Sequence, residues 1–378
     1  MLLHLTEDKE VHTQGPPEGI IPLTPILSWF FSRELANEDY YLQSMLLEIR
    51  EDIAMHTLED SLRQLIQNHD SLRLHYDSVE QILSYNNELS VAKFQPDVLD
   101  LTEFDPTQRE QEFLTYTSAL KAGIRLTQQD QFPFRACLII EPGCANRLLL
   151  AAHHVCIDGV SWRIILEDLG RLLRGECQWL PKTSSFKHWA LALSERAEPL
   201  VQREREYWNG NYNLPDDHWL CFGQPGSGRT TLRTLTFSPA ETGLLLEQCQ
   251  QINGLQPHEL LQTALALAFQ DTGNWQTQVI WLEGHGREPL FPDMDLSRTT
   301  GWFTSLYPVR ITAQAGTTVI ERRDNILQQF RAVPRKGLGY GIFSLWIGTD
   351  YTGCSPDCIQ LSWGISGGLR EWAVACSE

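Results

Sequence analysis

The chain has 378 residues, 42% hydrophobic and 10% aromatic, which is ample for packed cores and for two domains of ordinary size. With 30 basic residues against 48 acidic ones the net charge is −18, which repels phosphate backbones and anionic headgroups and argues against nucleic-acid and membrane partners. The amino terminus shows no basic segment leading into an apolar signal-peptide core, and no stretch reaches the ~18 apolar residues of a membrane span, so a cytoplasmic location is expected.

Two prolines ahead of an apolar, aromatic run at 21–35 predict an extended approach to a helix. Tyr41 to Ile49 reads as a strand, Leu58, Leu62, Leu65 and Ile66 share helical spacing on the way to Asn68, and Leu72 to Tyr76 alternates as a strand does. Arg135 to Ile140 is a further strand, and after a Pro-Gly turn Arg147 to His154 is a second one, which delivers a pair of histidines. Trp162, Ile165, Leu166, Leu169, Leu172 and Leu173 then form one apolar helical face, so the intervening loop joins a strand to a helix. Leu180 to Ser185, small, polar and broken by proline, is the expected linker and divides the chain into lobes 1–182 and 183–378. A helical stretch with Trp189, Leu191 and Leu193 follows, then helices at Pro239–Ile252 and Pro257–Gln270 and the strand Gln278–Leu282. Alternating helices and strands in both halves predict an α/β fold. The nine cysteines are scattered, and only Cys354 and Cys358 lie close, with no second pair to complete a zinc site. Reduced, mostly structural thiols are expected.

His154 and Asp158 are four residues apart, and the turn at Gly159 can fold the acid back beneath the imidazole. Histidine titrates nearest neutrality and a carboxylate can orient it, which makes His154 the candidate for proton transfer. The plainer alternative is that His153 and His154 end a strand while Asp158 caps a helix starting near Ser161. A structural role is favoured for Asp158, whose burial calls for a cationic partner, with Arg73 as the candidate; His153 is expected to pack or orient. In Glu283-Gly-His-Gly-Arg-Glu288 an acid meets two glycines at the end of an apolar strand, where a carboxylate can serve as a base and backbone can approach a ligand. The alternative there is a glycine turn with solvated charges. Its residues cannot share one helical face as in the His-Glu-x-x-His of zinc peptidases, so no metal is expected. Pro334 to Gly341 is glycine-rich but fits neither a phosphate loop nor a dinucleotide fingerprint, and reads as a tight turn or a backbone approach to substrate. No cysteine carries a motif that marks it as a nucleophile, and covalent catalysis is disfavoured.

Taken together these segments resemble the epimerization domains of nonribosomal peptide synthetases, within the condensation-domain superfamily. Pro25 to Phe30 is similar to the opening motif, His153 to Trp162 to the His-His-x-x-x-Asp-Gly-x-Ser-Trp core, and Glu283 to Glu288 to the Glu-Gly-His-Gly-Arg-Glu signature. Arg298 to Pro308 and Pro334 to Gly341 resemble the next two motifs, in the same order. The His-His core is shared with peptide-bond-forming condensation domains, whereas Glu283 to Glu288 and Gly301 to Ser305 are similar to the epimerization branch. The resemblance implies two chloramphenicol-acetyltransferase-like lobes arranged as a V-shaped pseudo-dimer. It implies an isomerase acting on the Cα of an L-aminoacyl or peptidyl thioester held on the 4′-phosphopantetheine of a carrier protein domain, with no cofactor of its own and adjacent synthetase modules as partners. His154 and Glu283 are then the catalytic pair, His153, Asp158, Gly159, Ser161 and Arg73 support them, and His285, Arg287, Trp302, Thr304, Ser305 and Tyr340 line the pantetheine tunnel. A condensation-type acyltransferase forming an amide or ester bond, or a remnant that only docks a carrier, are the alternatives.

The chain departs from the family in two places. Ile359 to Gly368 stands where an aromatic-Asn-Tyr-Leu-Gly segment is expected and contains neither Asn nor Tyr, which predicts a second lobe truncated before its sheet is complete. Leu255 to Leu260 replaces the usual Asn-Asp ahead of a Leu-rich helix and puts the start of that helix in doubt.

Overall fold

The computed structural model describes residues 17–33, 35, 38–176, 179–212, 230–251, 254–273, 277–312, 318–346, 360–366 and 369–377. The chain divides into two compact units, Met1–Ser194 with Pro289–Trp302, and Glu195–Glu288 with Phe303–Glu378.

The first unit runs β1 (Ile20–Ile21), α1 (Pro25–Phe31), β2 (Leu42–Glu48), α2 (Met55–Asn68), β3 (Leu74–Asp77), β4 (Ile82–Tyr85), β5 (Asp97–Asp100), α3 (Pro106–Ala122), β6 (Phe134–Ile140), β7 (Arg147–His153), α4 (Gly159–Leu173) and α5 (Phe186–Arg196). Its main sheet has the order β2-β7-β6-β5, and a smaller one the order β1-β4-β3. In the main sheet β2 and β6 flank β7 in antiparallel register, with Leu42 opposite His153. The β5–β6 pair is parallel, which needs a crossover, and α3 supplies it. Helix α3 starts at a capping box formed by Asp105 and Gln108, with Pro106 in its first turn.

Both faces of the sheet are covered, so β6 and β7 read as nearly continuous apolar runs. Leu148, Leu150 and Ala152 point to one side and join Leu58, Leu62, Leu65 and Ile66 of α2 and Trp162, Ile165 and Leu169 of α4. Leu149 alternates to the other side, where it meets Cys137, Ile139, Leu99 and Leu101 beneath Phe113, Tyr116 and Leu120 of α3. Each fully buried aliphatic side chain contributes roughly 2 kcal/mol. The strand expected at Leu72–Tyr76 begins later, because Asp70–Arg73 is a 3-10 turn and only Leu74–Asp77 is extended.

The second unit contains α6 (Glu198–Gln202), α7 (Arg205–Tyr212), β8 (Thr230–Thr236), α8 (Pro239–Gln251), α9 (Pro257–Gly273), β9 (Thr277–Gly284), β10 (Ser305–Thr312), α10 (Val319–Arg331), α11 (Leu338–Trp346), β11 (Gln360–Ser366) and β12 (Leu369–Ser377). Strands β9 and β10 pair antiparallel with Glu283 opposite Leu306, and β11, β12 and β8 form a separate sheet. Its core includes Val279, Ile280, Trp281, Leu282, Val309, Ile311, Ile326, Phe330, Tyr340 and Phe343. Despite the unusual residues before it, α9 starts in order: Pro257 takes its first position and the Gln256 N–H donates to Glu259 Oε2 at 2.8 Å. Residues 334–337 form the tight turn read from the glycines, with Arg335 and Lys336 at φ 43° and 48°, but the segment then continues as α11. Among the described residues no helix is long and apolar enough to cross a membrane. Cys137, Cys144, Cys156 and Cys249 are unbridged, and Cys354 and Cys358 lie outside the described residues.

Candidate active site

Strand β7 ends at His153, a 3-10 turn spans His154–Cys156, and Asp158 caps α4, whose first residue is Gly159. The Asp158 carboxylate accepts the Ser161 N–H at 2.7 Å and its hydroxyl at 2.8 Å, so it satisfies an orphan donor and sits at the positive end of the helix dipole. Arg73 is committed elsewhere. Its guanidinium donates to Asp70 at 2.7 Å and to the carbonyls of Ile66 and Gln67 at 2.6 and 3.0 Å. Those carbonyls belong to the last turn of α2, where no intrahelical donor reaches them, and the 3-10 turn that follows brings Arg73 over them. The expected Arg73–Asp158 pair is therefore replaced by a cap on α2.

The two histidines differ sharply in environment. His153 is completely buried, with Nε2 at 2.9 Å from the Glu38 carbonyl and Nδ1 accepting the Val155 N–H at 3.2 Å. Burial pushes its pKa down to about 4, against the opposing pull of the Glu38 carbonyl and the Asp39 charge. His154 is only partly buried. Its Nε2 lies 2.7 Å from Gln43 Nε2, and Gln43 Oε1 accepts the Trp162 indole N–H at 2.9 Å. Its ring stacks on Tyr41 at 5.3 Å and lies 4.3 Å from the ring of Trp302. Burial lowers the His154 pKa, while its own main chain and the Asp158 charge oppose the shift. Burial thus favours the neutral form of the His154 imidazole, in a site walled by aromatic rings and suited to taking a proton.

Trp302 arrives from the 289–302 segment, which Ser161 fastens. The Gly301 N–H donates to Ser161 Oγ at 3.1 Å, and that hydroxyl lies 3.0 Å from the Gly301 carbonyl. Beside Gly301, at φ 148°, a Cβ would fall 2.5 Å from the ring of Phe186.

In the second unit β9 carries Glu283 to an exposed position one residue before its end. The glycines around it do permit a close approach, but to the chain's own backbone and strand. A Cβ on Gly284 would lie 2.5 Å from Ser305 Oγ, and one on Gly286, at φ 66°, would lie 1.6 Å from the Phe303 carbonyl oxygen. His285 Nδ1 accepts the Arg287 N–H at 3.0 Å, its Nε2 is 3.1 Å from Glu288, and the Arg287 guanidinium lies 3.8 Å above the Phe303 ring. Thr304 is half-buried, and Ser305 is buried with its hydroxyl 3.3 Å from the Lys336 carbonyl. Tyr340, expected to line a tunnel, is 1% exposed between Trp208 and Trp281, a core position. Among the described residues no group of three His, Cys, Asp or Glu side chains is placed to hold a metal.

The structure therefore brings His153, His154, Asp158, Gly159, Ser161 and Trp302 together in the first unit, and Glu283, His285, Arg287, Thr304 and Ser305 near one another in the second. Tyr41 and Gln43 are the site residues that sequence reading misses. They lie beside Leu42, the residue opposite His153, and only the register of β2 on β7 could have found them.

The family model described as Condensation domain matches residues 17–344. A linear gramicidin synthase chain of Brevibacillus parabrevis is 34% identical over 343 residues, which cover 87% of this chain and 6% of that protein. Surfactin synthase subunit 1 of Bacillus subtilis strain 168 is 34% identical over 346 residues, 87% of this chain and 9% of the relative. The chain thus spans less than a tenth of the length of these relatives. Among solved structures, the epimerization domain from the third module of tyrocidine synthetase B superimposes with a TM-score of 0.82 and 26% identity, covering 96% of this chain and 92% of that one. The first condensation domain of the calcium-dependent antibiotic synthetase, in complex with a substrate analogue, gives 0.69 and 17% over 97% and 92% of the two chains, a likeness of fold alone. The fold class is the chloramphenicol-acetyltransferase-like α/β class shared by these domains.

Proposed function

The chain belongs to the condensation-domain family, and from that premise we propose that it epimerizes the Cα of an L-aminoacyl or peptidyl thioester in nonribosomal peptide synthesis. The observation that carries this reading is the closer likeness to a solved epimerization domain, 0.82 and 26%, than to a solved condensation domain, 0.69 and 17%. The substrate would arrive on the 4′-phosphopantetheine of a carrier domain within or beside the same synthetase, and no further cofactor is needed.

The chemistry follows from the thioester. Its carbonyl acidifies the neighbouring Cα–H, so one side chain removes that proton and a second returns one to the opposite face. A neutral His154 is fit to accept a proton, and Glu283, standing as the carboxylic acid, then returns one to the opposite face, with solvent exchange restoring both groups afterwards. Each positioned group of this kind supplies about 10²–10⁴-fold. The test is incubation with an L-aminoacyl carrier protein in deuterated water. Epimerization yields D product with deuterium at Cα, and His154→Ala or Glu283→Gln should each lower exchange by about 10²-fold or more. Product formed only when an acceptor amine or alcohol is supplied would establish an acyltransferase instead. Binding of the carrier with neither reaction would establish a docking remnant.

A further inference from the structure

The hydrogen-bond chain behind His154 has only one consistent assignment of protons. An indole N–H only donates, so the Gln43 atom 2.9 Å from Trp162 Nε1 is the amide oxygen. That leaves the Gln43 NH2 group 2.7 Å from His154 Nε2. An amide nitrogen donates and does not accept, so Nε2 of His154 carries the lone pair and the ring proton resides on Nδ1, a buried atom with no side-chain partner whose neighbouring acceptor is the residue's own main chain. The rings of Tyr41 and Trp302, at 5.3 and 4.3 Å from the imidazole and 5.6 Å from each other, pack against it as one aromatic cluster.

We propose that Gln43, fixed by Trp162, is a positioning residue that sets the tautomer of His154 and keeps Nε2 an unprotonated acceptor until the substrate takes the place of the amide. Protonating Nε2 would turn an N–H toward the amide N–H, so the same contact disfavours the imidazolium. The titratable groups around His154 are Asp158 at the start of α4, His153 at the end of β7 and Tyr41 before β2. Of these only Asp158, when ionised, favours a charged ring, and its Oδ1 is shared with the N–H and hydroxyl of Ser161.

The role deepens the proposed function, because it matters for turnover only if His154 transfers the proton, but its test needs no substrate. Nitrogen-15 NMR of labelled histidine in the full chain should show His154 of the parent protein protonated at Nδ1 and bare at Nε2. Gln43→Glu puts an acceptor-only carboxylate against Nε2, which still accepts the Trp162 N–H. It should move the proton to Nε2 and raise the His154 pKa by about one unit or more. Trp162→Phe frees the amide to turn over and should give the Nε2–H form as well. A parent spectrum with Nε2 protonated would overturn the assignment, even if neither variant folds. An unchanged His154 titration in folded Gln43→Glu would overturn it too. A chain with the expected tautomer that exchanges no Cα proton would refute the proposed reaction and leave the relay standing.

Discussion

His153 and His154 share a peptide bond, yet only one of them has a ring nitrogen directed at a side chain. Both nitrogens of His153 are used by backbone groups, Nε2 donating to Glu38 and Nδ1 accepting from Val155, and that pattern exists only for the neutral ring. Its folded pKa of about 4 lies below the ordinary value of 6.5, so the unfolded chain binds the extra proton first as pH falls. The stabilisation is therefore complete above about pH 6.5 and is lost progressively down to about pH 4. Between pH 7 and pH 5 the loss amounts to about 2 kcal/mol. His153→Gln offers an amide donor and acceptor that do not titrate, so its unfolding free energy should fall about 2 kcal/mol less than that of the parent over the same interval. Denaturant titrations of both proteins at the two pH values check this, and parallel losses would refute the assignment. The sequence pointed to His153 as a packing or orienting residue. It gave no sign of Gln43, whose place beside His154 depends on a strand pairing across more than a hundred residues.

Elements that bury a regular apolar face are legible, and those that do not are lost. Strand β7 and helix α4 follow from runs and spacings that the packed core requires. Helix α3 escapes, because its apolar residues Phe113, Tyr116 and Leu120 are only partly buried and most of its surface is polar. The segment after Pro334 reads as a turn on its glycines, but the turn needs only Gly337, and Gly339 and Gly341 continue into α11. Residues 360–366, read as a departure from the family's last motif, form β11 beside β12, since a missing motif does not abolish strand propensity. The Glu283–Glu288 turn is the element where glycine is most strictly required. At Gly286 both φ and space exclude a side chain, because a Cβ would overlap the Phe303 carbonyl. Gly286→Ala should therefore displace the end of β9 from the start of β10 and cost upwards of about 2 kcal/mol. Faster amide exchange at Leu306 and Ser305, with exchange in β7 unchanged, is the expected signature. A variant with parent stability and protection would mean that the turn tolerates a side chain.

At the scale of the whole chain, the feature least accessible to a linear reading is that Pro289–Trp302 belongs with the first unit although it follows β9. Composition gives no hint of such a return. The family resemblance picks out both ends of the contact, Ser161 in one motif and Gly301 in another, without saying that they touch. The structure joins them through one hydroxyl. Ser161 has a single hydrogen to give, and the Asp158 carboxyl oxygen at 2.8 Å is a nearer acceptor than the Gly301 carbonyl at 3.0 Å. Its oxygen meanwhile accepts the buried Gly301 N–H at 3.1 Å. Ser161→Ala keeps the α4 cap, since Asp158 still accepts the residue 161 N–H, but leaves the Gly301 N–H without that acceptor. The cost of such an orphaned buried group is about 1–3 kcal/mol, and it falls on the segment that carries Trp302 to His154. Ser161→Ala should accordingly lose hydrogen-exchange protection at Gly301 and Trp302 by about 10-fold or more, beyond any change in α4. The His154 ring signals should shift as Trp302 loosens above them. If protection at Gly301 falls only in proportion to α4, the hydroxyl is a helix cap alone, and the return of residues 289–302 is held by the burial of Trp302 and Phe291 instead.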